Sequence, residues 1–386
     1  MKRIILAGLL SLITSFIFAS EELDIYTWLY HGSANATERI GVLRNVVEAK
    51  LDGAGELYAE ALAQLILEQP RMRTSAEKEA ADSLARLLAT LLGENKYTAA
   101  ANDLWRTVEI FDNPLVKADA LIALGRIRSE AHLELIVRLL EDLNLNPAAD
   151  REKGEKIAYG AIQSLEKYRN IAGYSPVFFA ASAWYSRRVK DQAVATLPYI
   201  VDDPSDAISS IIKSGTYEIK LLGLQKENES KASAAAKSGV AQLGLDEAWK
   251  SVTNDVKERV TLSRIRKLSI EMLVRYGSST PEAVPLLERC YKEGIDMEEK
   301  LGAVTALSMN KNEAAAQALS SFLLLMNAKR RANDITQEDE RIVRALIPAL
   351  GTQGSTKGRI ALQQVELTDW TNAVKVLAAE ALKKLR

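Results

Sequence analysis

The stretch Asp112–Leu140, "DNPLVKADALIALGRIRSEAHLELIVRLL", reads as a helix, a tight turn and a second helix. Asn113 suits an N-cap, where a side-chain oxygen accepts from a free first-turn N–H, and Pro114 takes the first helical position, where its missing N–H costs nothing. Leu115, Ala118, Leu121, Ile122 and Gly125 then recur at helical spacing and predict one buried stripe. Ser129 suits the cap of the second helix, whose Leu133, Ile136, Val137 and Leu140 fall at i, i+3, i+4 and i+7. Two amphipathic helices cannot cover their own stripes, so the pair needs neighbours.

The neighbours are visible as repeats of the same frame. A base, two residues, a small residue, three residues and a leucine describe Lys117, Ala120 and Leu124. The frame returns at Lys190, Ala193 and Leu197, at Arg266, Ser269 and Leu273, at Lys300, Ala303 and Leu307, and at Lys375, Ala378 and Leu382. Val116, Val189, Ile265 and Val374 precede the base in four copies, and looser copies end on Leu165, Leu224 and Leu350. The eight leucine anchors span 258 residues in seven steps of about 37, with single steps from 27 to 49. A period in this range is that of stacked helix pairs. The small residue lets the second helix of a pair come close, and the leucine fills the gap.

These residues, above all the quoted stretch and "DMEEKLGAVTALSMNKNEAAAQALSSFL", resemble HEAT-repeat proteins. Asp112 with Lys117, and Asp296 with Lys300, match that family's turn acid and early base. The resemblance covers residues 74 to 386 and implies an all-α fold, a right-handed α-solenoid of irregular HEAT-like helix pairs. It implies interaction and no particular chemistry. The tetratricopeptide array is the nearest competitor, but its Trp, Gly, Tyr and Pro pattern is not visible. Residues 21–73 hold two expected helices, near Thr37–Leu51 and Gly53–Glu68, and lack the frame; they read as an N-terminal helical capping segment. "TSAE", Thr74–Glu77, is a capping box, and Pro204 and Pro281 mark two further helix starts.

Residues 1–20 read as a signal peptide: Lys2 and Arg3 precede the apolar run Ile4–Ala19, which "SEE" ends. That run is just short of a spanning helix, and bulky Ile17 or Phe18 lies near the expected cut, so an uncleaved anchor is the other reading. Export to the periplasm or the extracellular space is the expectation. Cys290 is the one cysteine, so the mature domain must hold by packing without an internal disulfide. With 50 basic and 51 acidic side chains, no net charge favours nucleic acid, and 47% hydrophobic content supplies a core.

Chemistry-bearing motifs are sparse. His132 lies between Glu130 and Glu134, but i, i+2 and i+4 put the histidine on another helix face from the acids; a surface histidine is expected, and a metal site is not. "GTQGSTKGR", Gly351–Arg359, departs from the phosphate-loop order and follows a helix, so a turn is expected. Between Lys257 and Arg275 there are six basic and two acidic residues, which either bind an anionic partner or form a solvated ladder through Lys267, Glu271 and Arg275. Asn35 and Asn228 open Asn-x-Ser/Thr triplets. No catalytic residue and no cofactor is assigned.

Aromatics are unevenly placed. Of 23 in the chain, eight fall between Tyr159 and Tyr199. Tyr168, Tyr174, Trp184 and Tyr185, with Arg187 and Arg188, have the composition of a protein-binding surface. The competing reading is that the long step from Leu124 to Leu165 leaves space that rings fill; Phe178 and Phe179 are expected in the core either way. The function read from the sequence is an exported, non-catalytic scaffold or adaptor that binds a protein partner in an envelope-associated assembly. Because some HEAT-like bacterial proteins are similar to bilin lyases, an enzyme or lyase subunit is the alternative, and a membrane-tethered scaffold is a third.

Overall fold

Capping side chains set many helix starts in the computed structural model, which describes residues 21–277 and 280–385. The export signal or anchor read on residues 1–20 lies outside them. Thr74 accepts from the Glu77 N–H while the Glu77 carboxylate accepts from the Thr74 N–H, the reciprocal box that its spacing predicts. Asn113 accepts from the Leu115 N–H with Pro114 at the first position. Among the described residues the fold is all-α, with no strand. The helix expected after Pro281 starts at Ala283 without a side-chain cap, because the Thr280 hydroxyl turns to Gln242 instead.

The chain divides between Val201 and Asp202 into two compact units. In unit 1 the helices are α1 (residues 21–32), α2 (Ala36–Glu48), α3 (Gly55–Glu68), α4 (Ser75–Glu94), α5 (Ala101–Ile110), α6 (Pro114–Ile127), α7 (Glu130–Leu145), α8 (Arg151–Tyr168), α9 (Tyr174–Ala180) and α10 (Arg187–Ile200). The even-numbered helices α2, α4, α6, α8 and α10 lie side by side in sequence order, and α3, α5, α7 and α9 back α4, α6, α8 and α10 one each. Unit 2 repeats the plan with α11 (Ser205–Ser214), α12 (Tyr217–Glu229), α13 (Ala234–Lys250), α14 (Val256–Tyr276), α15 (Ala283–Glu293), α16 (Met297–Met309), α17 (Glu313–Arg331), α18 (Gln337–Gln353), α19 (Arg359–Glu366) and α20 (Asn372–Lys383). There α12, α14, α16, α18 and α20 form one layer, and α11, α13, α15, α17 and α19 the other.

All eight leucine anchors fall on even-numbered helices, from α6 to α20. Seven of the eight are buried, as are Ala120, Ala193, Ser269, Ala303 and Ala378; Leu382 is half-buried. Each enclosed leucine contributes about 1.5–3 kcal/mol, so the frame marks the core.

The pairing register differs from the expected one. The quoted stretch, α6 and α7, is not a packed pair: α6 packs on α5 and α8, and α7 on α8 and α9. Of the stripe expected for α6, Ala118, Leu121 and Gly125 are buried and Leu115 is 37% exposed, and a second stripe that was not expected, Val116, Ala120, Ala123, Leu124 and Ile127, is buried on another side of the helix. A helix covered by neighbours on several sides needs small residues more than one stripe. A Cβ on Gly160 would meet the Ala118 backbone at 2.6 Å, and one on Gly125 the Ser164 backbone at 2.6 Å, so α6 and α8 approach to near backbone contact. Ser269 does serve a pair, lying 3.0 Å from a Cβ placed on Gly244 across α13 and α14. Asp296 caps α16, and its cation is Lys267 of α14 at 3.0 Å.

Candidate functional site

The six residues of the aromatic and arginine group separate by burial. Tyr168, Tyr174 and Tyr185 lie in the core of unit 1, and the Tyr168 hydroxyl donates to the Ser129 carbonyl at 2.9 Å. Trp184 is half-buried; its indole N–H donates to the Leu143 carbonyl at 2.7 Å, which ties the segment after α9 to the end of α7. Arg187 and Arg188 are exposed at the start of α10, Arg187 3.4 Å from Asp191 and Arg188 over the Tyr159 ring at 5.3 Å. In this conformation the three tyrosines are enclosed, and the exposed members of the region are the two arginines and Tyr199, which is 61% exposed, beside the half-buried Trp184. Phe178 is fully buried and stacks with Tyr174 at 6.4 Å.

His132 is not at the surface. It is 6% exposed, 2.8 Å from the Ser129 hydroxyl and 6.1 Å from the Trp105 ring. Ser129 therefore stands at the N-cap position with its hydroxyl engaged by the ring instead of by a backbone N–H. Burial disfavours the imidazolium and holds His132 below the ordinary imidazole value. The unfolded chain then binds the proton more readily than the folded one. Its stabilising contribution is complete above pH 6.5 and is lost as the pH falls from 6.5 through the depressed value. His132→Phe should flatten the melting temperature between pH 5 and 7 relative to the native chain; parallel pH profiles would contradict this. Among the described residues no cluster of three His, Cys, Asp or Glu side chains is placed to hold a metal.

Four basic residues occupy left-handed backbone where even-numbered helices end: Lys50 (φ 52°), Lys96 (φ 50°), Arg128 (φ 57°) and Arg169 (φ 53°). With Arg126 and Lys167, the middle two line a cavity of about 520 Å³. Nothing in the composition foretold them, since glycine is the usual occupant. Cations at helix C-termini offset the negative end of the helix dipole, which accounts for this rim without a ligand.

Glu227 of α12 is a buried carboxyl without an ion-pair partner within 4 Å among the described residues. It is fully buried, one oxygen accepts from the Ser205 hydroxyl at 2.8 Å, and burial pushes its carboxyl above the usual carboxylate range. No solvent reaches it in this conformation. Cys290 is likewise enclosed: the Trp249 indole N–H donates to its sulfur at 3.2 Å, and burial pushes the thiol up to about 12, far from a reactive thiolate.

Trp249 itself organises a polar cluster in unit 2. The Arg266 guanidinium stacks over its ring at 4.2 Å and the Arg289 guanidinium at 4.4 Å. Arg266 is 5% exposed and donates through two nitrogens to Glu299, which is fully buried and also accepts from Ser263 at 3.2 Å. Arg289 donates to Glu293 at 2.9 Å and to the Trp249 carbonyl at 3.2 Å. Beside the cluster opens a cavity of about 260 Å³, lined by Trp249, Val252, Arg259, Leu262, Arg266 and Ile295 among others. Of the ladder expected on α14, Arg275 does pair with Glu271 at 2.8 Å, but Lys267 crosses to Asp296 and Glu298 of the next segment. Residues this far apart in sequence meet only through the stacking of α13, α14, α15 and α16.

No protein-family model and no curated protein sequence matches the chain.

Proposed function

We propose that the chain is a non-catalytic scaffold or adaptor built as an irregular HEAT-like α-solenoid, which binds a protein partner along its surface. The observation that carries this reading is the two-layer order in each unit: even-numbered helices lie side by side in sequence order, and from α4 to α20 each is backed by an odd-numbered one. Helix rows of this kind present long surfaces instead of one closed pocket. The buried Glu227, Cys290 and His132 are engaged inside the fold, which favours binding over chemistry at these groups. Residues 21–73 are the capping segment in this reading, residues 74–386 the solenoid, and residues 1–20 the export signal that places the adaptor in the periplasm or outside the cell.

The test is crosslinked capture of the tagged chain from its native cells, quantified against a tag-only control. A partner recovered in saturable, near-stoichiometric amount is the expected result; recovery no greater than the control would sink the adaptor reading. Charge reversal of Arg187 and Arg188 to Glu then asks whether the end of α10 takes part, and both side chains are exposed enough to leave the core intact.

A membrane-tethered form of the same scaffold has one observation in its favour. On α1, directly after the apolar run Ile4–Ala19, Ile25, Trp28 and Leu29 are 58%, 74% and 40% exposed. Tryptophan at that distance from an apolar segment suits a lipid interface. The mass of the chain isolated from cells separates the two forms, since an anchor keeps residues 1–20 and a cleaved signal loses them.

A further inference from the structure

We infer that the groove beside Trp249 in unit 2 docks a protein segment presenting an apolar side chain next to a carboxylate; this deepens the adaptor reading and rests on it. The first ground is size. A cavity of about 260 Å³ falls below the roughly 300–1,000 Å³ of whole-ligand pockets and suits one or two side chains of a larger partner. The second is rigidity. Arg266 and Arg289 stack on the half-buried indole and Cys290 accepts its N–H, so the groove wall is held in place and a partner pays little ordering cost on this side.

The third ground is uncovered apolar surface. Val252 and Ile295 at the mouth are 91% and 49% exposed, and Val256 and Val260, on the first turns of α14, are 72% and 50% exposed. All three valines lie within the longest step between anchors, the 49 residues from Leu224 to Leu273, so the irregularity of the repeat and the exposed surface coincide.

Charge selects the occupant. Arg266 is spoken for by Glu299 and Arg289 by Glu293. Lys257, Arg259 and Arg264 are exposed, and their side chains make no ion pair or hydrogen bond among the described residues. Asp255 caps α14 through the Lys257 and Glu258 N–H groups and Glu258 accepts from the Thr253 hydroxyl, so both keep their charge but neither makes an ion pair with Arg259. Arg259 is the one of the three that lines the groove, and an unpaired cation there beside the exposed Val252 is complementary to a segment that sets a carboxylate next to an apolar side chain. A nucleic acid fits less well, because base stacking needs a free aromatic face and two guanidinium groups already lie against the Trp249 ring.

The experiment is selection of a random peptide library displayed on phage against the full chain, followed by fluorescence anisotropy of the enriched peptides. Enrichment of acidic–apolar peptides whose affinity falls roughly tenfold or more for Arg259→Glu, and again for Val252→Asp, is the expected result. Lysine-for-glutamate versions of those peptides should regain affinity for Arg259→Glu, a swap that a purely structural role of Arg259 would not produce. Both positions are exposed, and circular dichroism checks that each variant is folded. Peptides without acidic enrichment, binding that ignores both substitutions, no enrichment at all, or tight binding of a single-stranded DNA 20-mer in place of peptide would each overturn the inference. Partners captured from cells but indifferent to both substitutions would leave the adaptor reading standing and remove this groove from it.

Discussion

Glu299→Ala is expected to destabilise the protein by about 3–5 kcal/mol, because it strands a buried guanidinium without its counter-charge. Glu299 is fully buried and Arg266 5% exposed, so water cannot take the place of the lost carboxylate. Ser263 loses its acceptor in the same step, and the clamp on Trp249 loosens on the Arg266 side. Urea unfolding followed by circular dichroism measures the loss. The double variant Arg266→Met with Glu299→Leu should lose far less than the sum of the single changes, since two apolar side chains of similar volume leave no orphaned charge. If Glu299→Ala costs under about 1 kcal/mol, the pair is better hydrated than its burial implies.

Much of the fold was legible because burial imposes a period. The frame of base, small residue and leucine marked α6, α10, α14, α16 and α20, looser copies marked α8, α12 and α18, and the steps between anchors vary because the odd helices and links vary. The shortest step, Leu197 to Leu224, holds the ten-residue α11, while the longest holds the 17-residue α13 and most of the 21-residue α14. Pair register was not legible. A tight turn between α6 and α7 shows that they are adjacent in sequence, not that they pack together, and α6 turned out to pack on α8 through Gly125 and Gly160. Ala118 and Gly125 did stand in the expected stripe, but a stripe says that a face is covered and not which helix covers it.

The candidate site was less legible, for a geometric reason. Arg266 was singled out as a frame base and the segment around it as a local excess of positive charge, but Glu299, Trp249 and Arg289 come from three other helices or links. No spacing in one sequence connects residues 17 to 40 positions apart across a helix stack. The aromatic cluster shows the converse. It was conspicuous in composition, yet Tyr168, Tyr174 and Tyr185 went to the core because the space between α7, α8 and α9 had to be filled.

Gly160→Ala should destabilise by about 3 kcal/mol, at the upper end of overpacking costs. The added Cβ would sit 2.6 Å from the Ala118 Cα and 3.0 Å from its carbonyl oxygen, and backbone atoms cannot swing aside as a side chain does. Relief requires α6 and α8 to separate along their whole contact. Gly302→Ala, in α16, meets the Ile270 Cγ2 at 2.9 Å, the end of a side chain that can shift, and should cost much less. Gly239→Ala, exposed in mid-α13 with nothing within 4 Å of its Cβ, should stabilise by about 1 kcal/mol, the usual penalty of glycine in a helix. The three changes add the same methyl group to the same kind of backbone, so their expected order isolates the distance between helices as the cause. If Gly160→Ala and Gly239→Ala shifted the urea midpoint alike, close approach of α6 and α8 would not be what holds that layer together.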